Sequence, residues 1–156
     1  MANPTPAAPG RPPMALIGRA LRRLESVPYW LLALPLRLAV ATVFWNSGTS
    51  KLANWNTTIE LFTEEYKVPV LPPEIAAYMA ASIELATPVL LVLGLLTRPA
   101  ALVLLGMTAF IEIFVYPQAW PTHIQWAAML LVLLCRGPGS LSLDHLVRRR
   151  VEAVTR

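Results

Sequence analysis

The sequence predicts an all-α integral membrane protein, a four-helix bundle carrying amphipathic interfacial helices at its N- and C-terminal ends. Three observations carry that prediction. Of 156 residues, 56% are hydrophobic and only 14% charged, and the mean hydropathy of +0.54 lies well above that of soluble domains. Four apolar stretches occupy residues 29–52, 72–96, 99–116 and 120–135. The basic residues collect in alternate connections rather than being spread along the chain. The first two stretches exceed the roughly 20 residues that cross a hydrocarbon core. The third is close to that length, and the fourth is short enough to need local thinning of the bilayer.

The basic residues set the orientation. Arg11, Arg19, Arg22 and Arg23 precede the first stretch, Arg98 lies between the second and third, and Arg136, Arg148, Arg149, Arg150 and Arg156 follow the fourth. The other two connections hold only Lys51 and Lys67, the first of them together with Glu60, Glu64, Glu65 and Glu74. The positive-inside rule places both termini in the cytoplasm. The isoelectric point of 9.7 then reflects topology, so the lipid bilayer is the expected partner and nucleic acid is not. Oligomerisation is left open.

The elements follow in chain order. Residues 1–13 contain Pro4, Pro6, Pro9, Pro12 and Pro13; they read as a disordered cytoplasmic tail and lack the apolar stretch of a signal peptide. Over 14–27, Met14, Ile17, Leu21 and Leu24 recur at helical spacing opposite Arg19, Arg22 and Arg23, the pattern of a helix lying on the inner leaflet. Pro28 re-aims the chain into the transmembrane domain, residues 28–136. Within it, 54–71 is the longest outer excursion. Ile59, Leu61, Phe62 and Tyr66 suggest a short helix resting on the outer surface, the alternative being an aromatic-rich interfacial loop. The three residues "TRP" between the second and third stretches demand a tight hairpin. The cytoplasmic tail, 137–156, opens on Gly-Pro-Gly, offers Ser142 as a helix N-cap with Asp144 in the first turn, and shows Leu143, Leu146, Val147, Val151 and Val154 at helical spacing. No internal repeat or second domain is evident.

Polar residues inside the apolar stretches mark the candidate site. At 100° per residue, Arg37, Ala41, Phe44, Gly48 and Lys51 share a face of the first span. In the second, Ala77, Ala80, Ala81, Glu84 and Pro88 share a face whose small residues let a neighbour approach closely. Thr108, Glu112 and Tyr116 form a polar line along the third. Counting 1.5 Å per residue from the inner end of each span puts Arg37 about 12 Å deep, Glu84 about 18 Å, Glu112 about 20 Å and Lys51 about 33 Å. Arg37 is therefore expected to be held by Glu84 with Glu112 close by, and Lys51 to sit at the outer interface. If both carboxylates were ionised the cluster would be net negative, making one a candidate for a shared proton. Two roles fit: structural glue fixing helix order, or a site that handles protons or holds a polar headgroup such as a quinone.

Other residues carry less. His123, near Trp120, Gln125 and Trp126, reads as an interfacial anchor; a ligand role would need Glu112 or Tyr116 beside it. His145 belongs to no metal spacing and the methionines form no copper cluster, so no metal site is expected. The lone Cys135 admits no internal disulfide or CxxC pair and reads as a small buried apolar residue. Phosphate loops, nucleophile elbows and dinucleotide fingerprints are absent from the sequence, and no cofactor motif is evident beyond a quinone held in the polar core.

Taken together, "RLAVATVFWNSGTSKL" with Arg37, Gly48 and Lys51, Glu84 in the second span, "GLLTRPAA" with Gly94 and Arg98, and "RGPGSLSLD" with Gly137, Gly139, Ser142 and Asp144 resemble the DoxX family of small bacterial membrane proteins over residues 30–145. The resemblance implies a four-helix bundle in the bacterial inner membrane, with Gly94, Arg98, Gly137, Gly139, Ser142 and Asp144 organising the inner face. It also implies membrane or soluble redox proteins as partners, since the family's name comes from a quinone-reducing thiosulfate oxidoreductase. The functional expectation is a non-catalytic membrane subunit or anchor of a redox-linked system. The alternatives are a quinone-coupled oxidoreductase subunit and a small-solute or metal-uptake carrier, the last disfavoured by the lack of paired broken helices.

Overall fold

A computed structural model describes residues 13–154; the proline-rich segment 1–12 lies outside them. Every regular element among the described residues is helical. Helix α1 runs over Pro13–Glu25, α2 over Tyr29–Ala53, α3 over Trp55–Glu60, α4 over Pro73–Leu93, α5 over Thr97–Phe114, α6 over Trp120–Arg136 and α7 over Leu143–Val154. Of these, α2, α4 and α5 are long and apolar enough to cross a membrane. Helix α6 has 17 residues, about 26 Å at 1.5 Å per residue.

Four helices build the core. Helix α2 packs along α4, α5 packs along α6, and contacts of α4 with α5 and of α2 with α6 complete the arrangement. Val40, Phe44, Leu91, Leu104, Leu130 and Leu133 meet at its centre, each nearly or fully excluded from solvent. Outward-facing positions are apolar too, including Leu38, Trp45, Val89, Leu102 and Leu131, as helices immersed in lipid require. Cys135 is exposed, correcting the expectation of burial. Leu130 and Leu133 turn the inward face of α6 into the core, and Cys135, two residues or about 200° beyond Leu133, must point the other way.

The start of α2 and the end of α6 lie at one end of the molecule, the terminal end; the opposite, loop end carries residues 54–72 and 115–119. At the loop end α3 continues as a π-helical stretch, Leu61–Tyr66. Phe62 is buried there against Ala76 and Ala77 of α4. A short helix therefore forms, as one reading of that segment had it, and it buries an aromatic side chain against α4.

At the terminal end, α4 and α5 are joined by a tight turn. Gly94 adopts φ 65° after α4, and the bonds from Leu95 N to Leu90 O (2.9 Å) and Gly94 N to Leu91 O (3.1 Å) form a Schellman cap. A side chain at Gly94 would be obstructed as well as strained, because a Cβ there would lie 2.5 Å from Ser142 Cβ. The chain after α6 folds beneath this turn. Gly139, at φ 82°, rests against Trp30 and Ala33, and Ser142 Oγ accepts from His145 N at 3.2 Å, capping α7.

Candidate functional site

Three separate groups of charged and polar residues stand within the core helices among the described residues. Arg37 lies at the terminal end and is 2% exposed, with no carboxylate in contact among the described residues. Its guanidinium donates to four backbone carbonyls: Nε to Leu91 O at 2.6 Å, Nη2 to Val92 O at 2.5 Å, and Nη1 to Leu141 O at 2.7 Å and Pro138 O at 3.2 Å. Leu91 and Val92 belong to the last turn of α4, where carbonyls have lost their regular i+4 donors and the helix dipole is negative; Leu91 O is shared with Gly94 N. Carbonyl dipoles make the direct contacts to the buried charge, and Asp144 adds Coulombic support from a longer range.

This corrects the expected pairing of Arg37 with Glu84 and Glu112. The depth count assumed that the spans begin at a common inner plane. In the structure the first two turns of α2 extend beyond the end of α4, with residues 138–142 folded alongside them. Arg37, about 12 Å along α2, is thus level with the last turn of α4, and the Arg/Glu core does not form.

Neighbouring groups complete this end. Asp144 accepts from Leu96 N at 2.8 Å and Thr97 N at 3.0 Å, satisfying the start of α5. Arg98 donates to Cys135 O at 3.3 Å at the end of α6 and lies beside Gly137, whose φ is 79°. Tyr29 donates to Gly137 O at 2.8 Å.

Glu84 instead meets Lys51, 2.8 Å from Lys51 Nζ to Oε2 and 2.9 Å to Oε1. Ser47 joins them: its Oγ accepts from Lys51 at 2.9 Å and donates to Glu84 Oε1 at 3.1 Å. Glu84 is 2% exposed. Gly48 makes the approach geometrically feasible, since a Cβ at that position would come within 3.1 Å of Glu84 Cβ and 2.9 Å of Leu85 Cγ. Lys51 therefore turns inward from the end of α2 rather than outward to the interface.

The third group joins α5 to α6. Glu112 Oε2 lies 2.6 Å from Nδ1 of His123, and His123 is buried, so it is not the surface anchor that its aromatic neighbours suggested. Tyr116, just past α5, donates to Glu65 in the outer segment and packs edge-on to Tyr66 at 5.5 Å. Burial, reinforced by the hydrogen bonds to Glu65 and Tyr66, holds the Tyr116 phenol well above its ordinary pKa and keeps it a donor. Thr108 bonds back to Leu104 O at 2.8 Å within its own helix and faces none of these groups.

Lys51, Glu84, Ser47, Tyr116 and His123 all line one cavity of about 600 Å³ at the loop end. Its remaining walls are mainly apolar and aromatic, among them Phe44, Phe62, Met79, Phe110 and Trp126. Phe44 and Trp126 meet edge-on at 5.6 Å, and the His123 ring lies 5.1 Å from that of Trp126. Gly106 is also on the wall, and a Cβ there would meet nothing within 4 Å. A mostly apolar hollow with a few convergent polar groups is the usual form of a small-molecule site.

Sequence reasoning missed Ser47, Gly106 and Trp126 as cavity residues. Ser47 carried a signal, standing four residues before Lys51 on the same helix face; Gly106 carried none. The described residues contain no cluster of three or more His, Cys, Asp or Glu able to hold a metal.

Comparison with known proteins follows the same lines. The DoxX family profile matches residues 32–117, which take in most of α2 and all of α4 and α5 with the Lys51–Glu84 pair. The chain belongs to the DoxX family. It is also 30% identical over 142 residues to an uncharacterised protein of Haemophilus influenzae, covering 81% of this chain and 90% of that one. No solved structure matches the chain. The DoxX match and the three long apolar helices make this a membrane protein.

Proposed function

We propose that this DoxX protein spans the bacterial inner membrane four times with both termini in the cytoplasm, and acts as a membrane subunit or anchor of a redox-linked system. In that role it holds a lipid-soluble small molecule of the quinone class in the loop-end cavity. The observation that carries this reading is the cavity itself: apolar aromatic walls suit a flat ring and its alkyl tail, while Lys51–Glu84–Ser47 and His123 supply polar contacts for ring oxygens.

Several features support the topology. Helix α6 buries Leu130 and Leu133 in the same core as the three longer helices, so it serves as a fourth, short span that thins the bilayer locally. The cytoplasmic side is then the terminal end, where α1 and α7 lay Met14, Ile17, Leu21, Leu146 and Val151 on the inner leaflet beneath their arginines. The redox association rests on the family resemblance together with the shape of the cavity. The protein lacks a second cysteine, so dithiol chemistry would belong to a partner.

The test is native mass spectrometry of the full chain purified in mild detergent. The expected result is a retained small molecule of quinone mass that is lost in Glu84→Gln. Retention of a partner protein with an empty cavity would leave an anchor and remove the binding role.

A further inference from the structure

We propose that the loop-end cavity selects a head that donates hydrogen bonds, an aromatic alcohol such as a phenol or hydroquinone, over the corresponding dione. The inference rests on the cavity-binding reading above and adds the chemical form of the ligand.

The argument is a count of donors and acceptors. An ammonium has three N–H groups, and those of Lys51 are engaged by Ser47 Oγ, Glu84 Oε1 and Glu84 Oε2. Ser47 spends its only O–H on Glu84 Oε1. The cluster therefore has no donor left to offer. It does have acceptors: Oε1 of Glu84 already receives two bonds, but Oε2 receives one and keeps a lone pair, as does Ser47 Oγ.

His123 leads to the same result. Glu112 Oε2 lies 2.6 Å from Nδ1, so a carboxylate there accepts the N–H of that nitrogen, and in the uncharged form of the ring Nε2 is then the acceptor. Nε2 has no hydrogen-bond partner among the described residues. Tyr116 is committed to Glu65, so its phenol offers little to a ligand.

Among the side-chain N–H groups on the wall, the indole of Trp126 has no partner among the described residues. A hydroxyl satisfies this mixture, because it donates to Glu84 or His123 and still accepts from an indole. A dione accepts only, and would leave the buried acceptors facing an acceptor. An anionic head fits no better, since the Lys51–Glu84 pair is already neutral and Glu84 would repel it.

Access is consistent with a lipid-borne molecule. Val103 and Gly106 on α5 and Met79 on α4 are exposed and at the same time line the cavity. The hollow therefore opens sideways between α4 and α5, where an alkyl tail can extend into lipid while the ring lies within.

The experiment compares three probes on the detergent-solubilised full chain under anaerobic conditions: decylhydroquinone, its dione and its di-O-methyl ether, with Kd read by calorimetry. The hydroquinone is expected to bind at least about tenfold more tightly than either, the worth of one hydrogen bond to a charged acceptor. The advantage should vanish in a Lys51→Met, Glu84→Met double variant, which keeps the site neutral, and should shrink in His123→Phe. Equal binding of hydroquinone and dione overturns the donor preference while leaving the cavity as a quinone-class site. Binding by none of the three overturns the cavity reading as well. A preference that survives in both variants overturns the assignment to these acceptors.

Discussion

The ammonium of Lys51 sits 2.8 Å from Oε2 of Glu84, joining the last turns of α2 to the middle of α4. Each residue alone would be an isolated charge in an apolar environment; together they are neutral and fully hydrogen-bonded on the lysine side. The pair closes one wall of the cavity and fixes how far α2 is advanced along α4. Its charges are therefore coupled to helix register as well as to any ligand.

That coupling is measurable. Lys51→Met and Glu84→Gln should each lower stability by about 3 kcal/mol, because each strands a buried partner. The double variant should lose clearly less than the sum, since it leaves no uncompensated charge. Thermal unfolding of the four proteins in one detergent checks this, and additive losses would show that the two side chains do not depend on each other.

Arg37 calls for a different expectation, because its partners are carbonyls. Lysine has three donors where arginine uses three nitrogens to reach four acceptors, and its shorter, non-planar head cannot bridge the end of α4 and the 138–142 segment together. Arg37→Lys should cost about 2 kcal/mol, the cost of leaving a buried carbonyl unpaired, and Arg37→Gln should cost more. The fraction that folds should retain cavity ligand as wild type does, because Arg37 does not line the cavity. Unfolding midpoints combined with native mass spectra test both halves, and an Arg37→Lys protein of wild-type stability would refute the carbonyl clamp.

The helices themselves were legible in the sequence because an apolar run of spanning length has one stable form in lipid. The stretch expected at 29–52 is observed as Tyr29–Ala53, and that at 120–135 as Trp120–Arg136. Side-chain pairing was not legible, and one physical cause accounts for it. Relative helix depth is set by whatever fills the space at the helix ends, here residues 138–142 beneath α4, and periodicity within a single helix carries no information about it. With α2 advanced past the end of α4, Glu84 falls beside Lys51 instead of Arg37. For His123 the misleading signal was local: aromatic neighbours suggested an interface, whereas its partner Glu112 lies on another helix.

Topology is open to a direct check. In a Cys135→Ala background, a cysteine placed at Ser26 should resist a membrane-impermeant maleimide in intact spheroplasts and react after permeabilisation. One placed at Asn56, an exposed position of α3, should react without permeabilisation. The reversed pattern would invert the assignment made from the arginines, and reaction of both sites in intact spheroplasts would place the two on the same side.

Two glycines should respond in opposite ways to substitution. Gly94 has φ 65° and no room for a Cβ, with Ser142 Cβ 2.5 Å away and Arg37 Nη2 2.9 Å away. Both neighbours are held by hydrogen bonds, Ser142 to Gly139 O and Arg37 to the carbonyls of α4, so neither can yield cheaply. Gly94→Ala should destabilise by about 1–3 kcal/mol from the left-handed backbone and overpacking. Gly106→Ala adds a methyl to open space within a helix and should be neutral or slightly stabilising. Gly106→Leu extends the same position across the gap between α4 and α5, so it should leave the unfolding midpoint unchanged while slowing or abolishing uptake of an alkylated ring. Midpoints for all three variants, with ligand retention for Gly106→Leu, separate packing from access; unchanged uptake in a stable Gly106→Leu protein would mean that the ligand does not enter between α4 and α5.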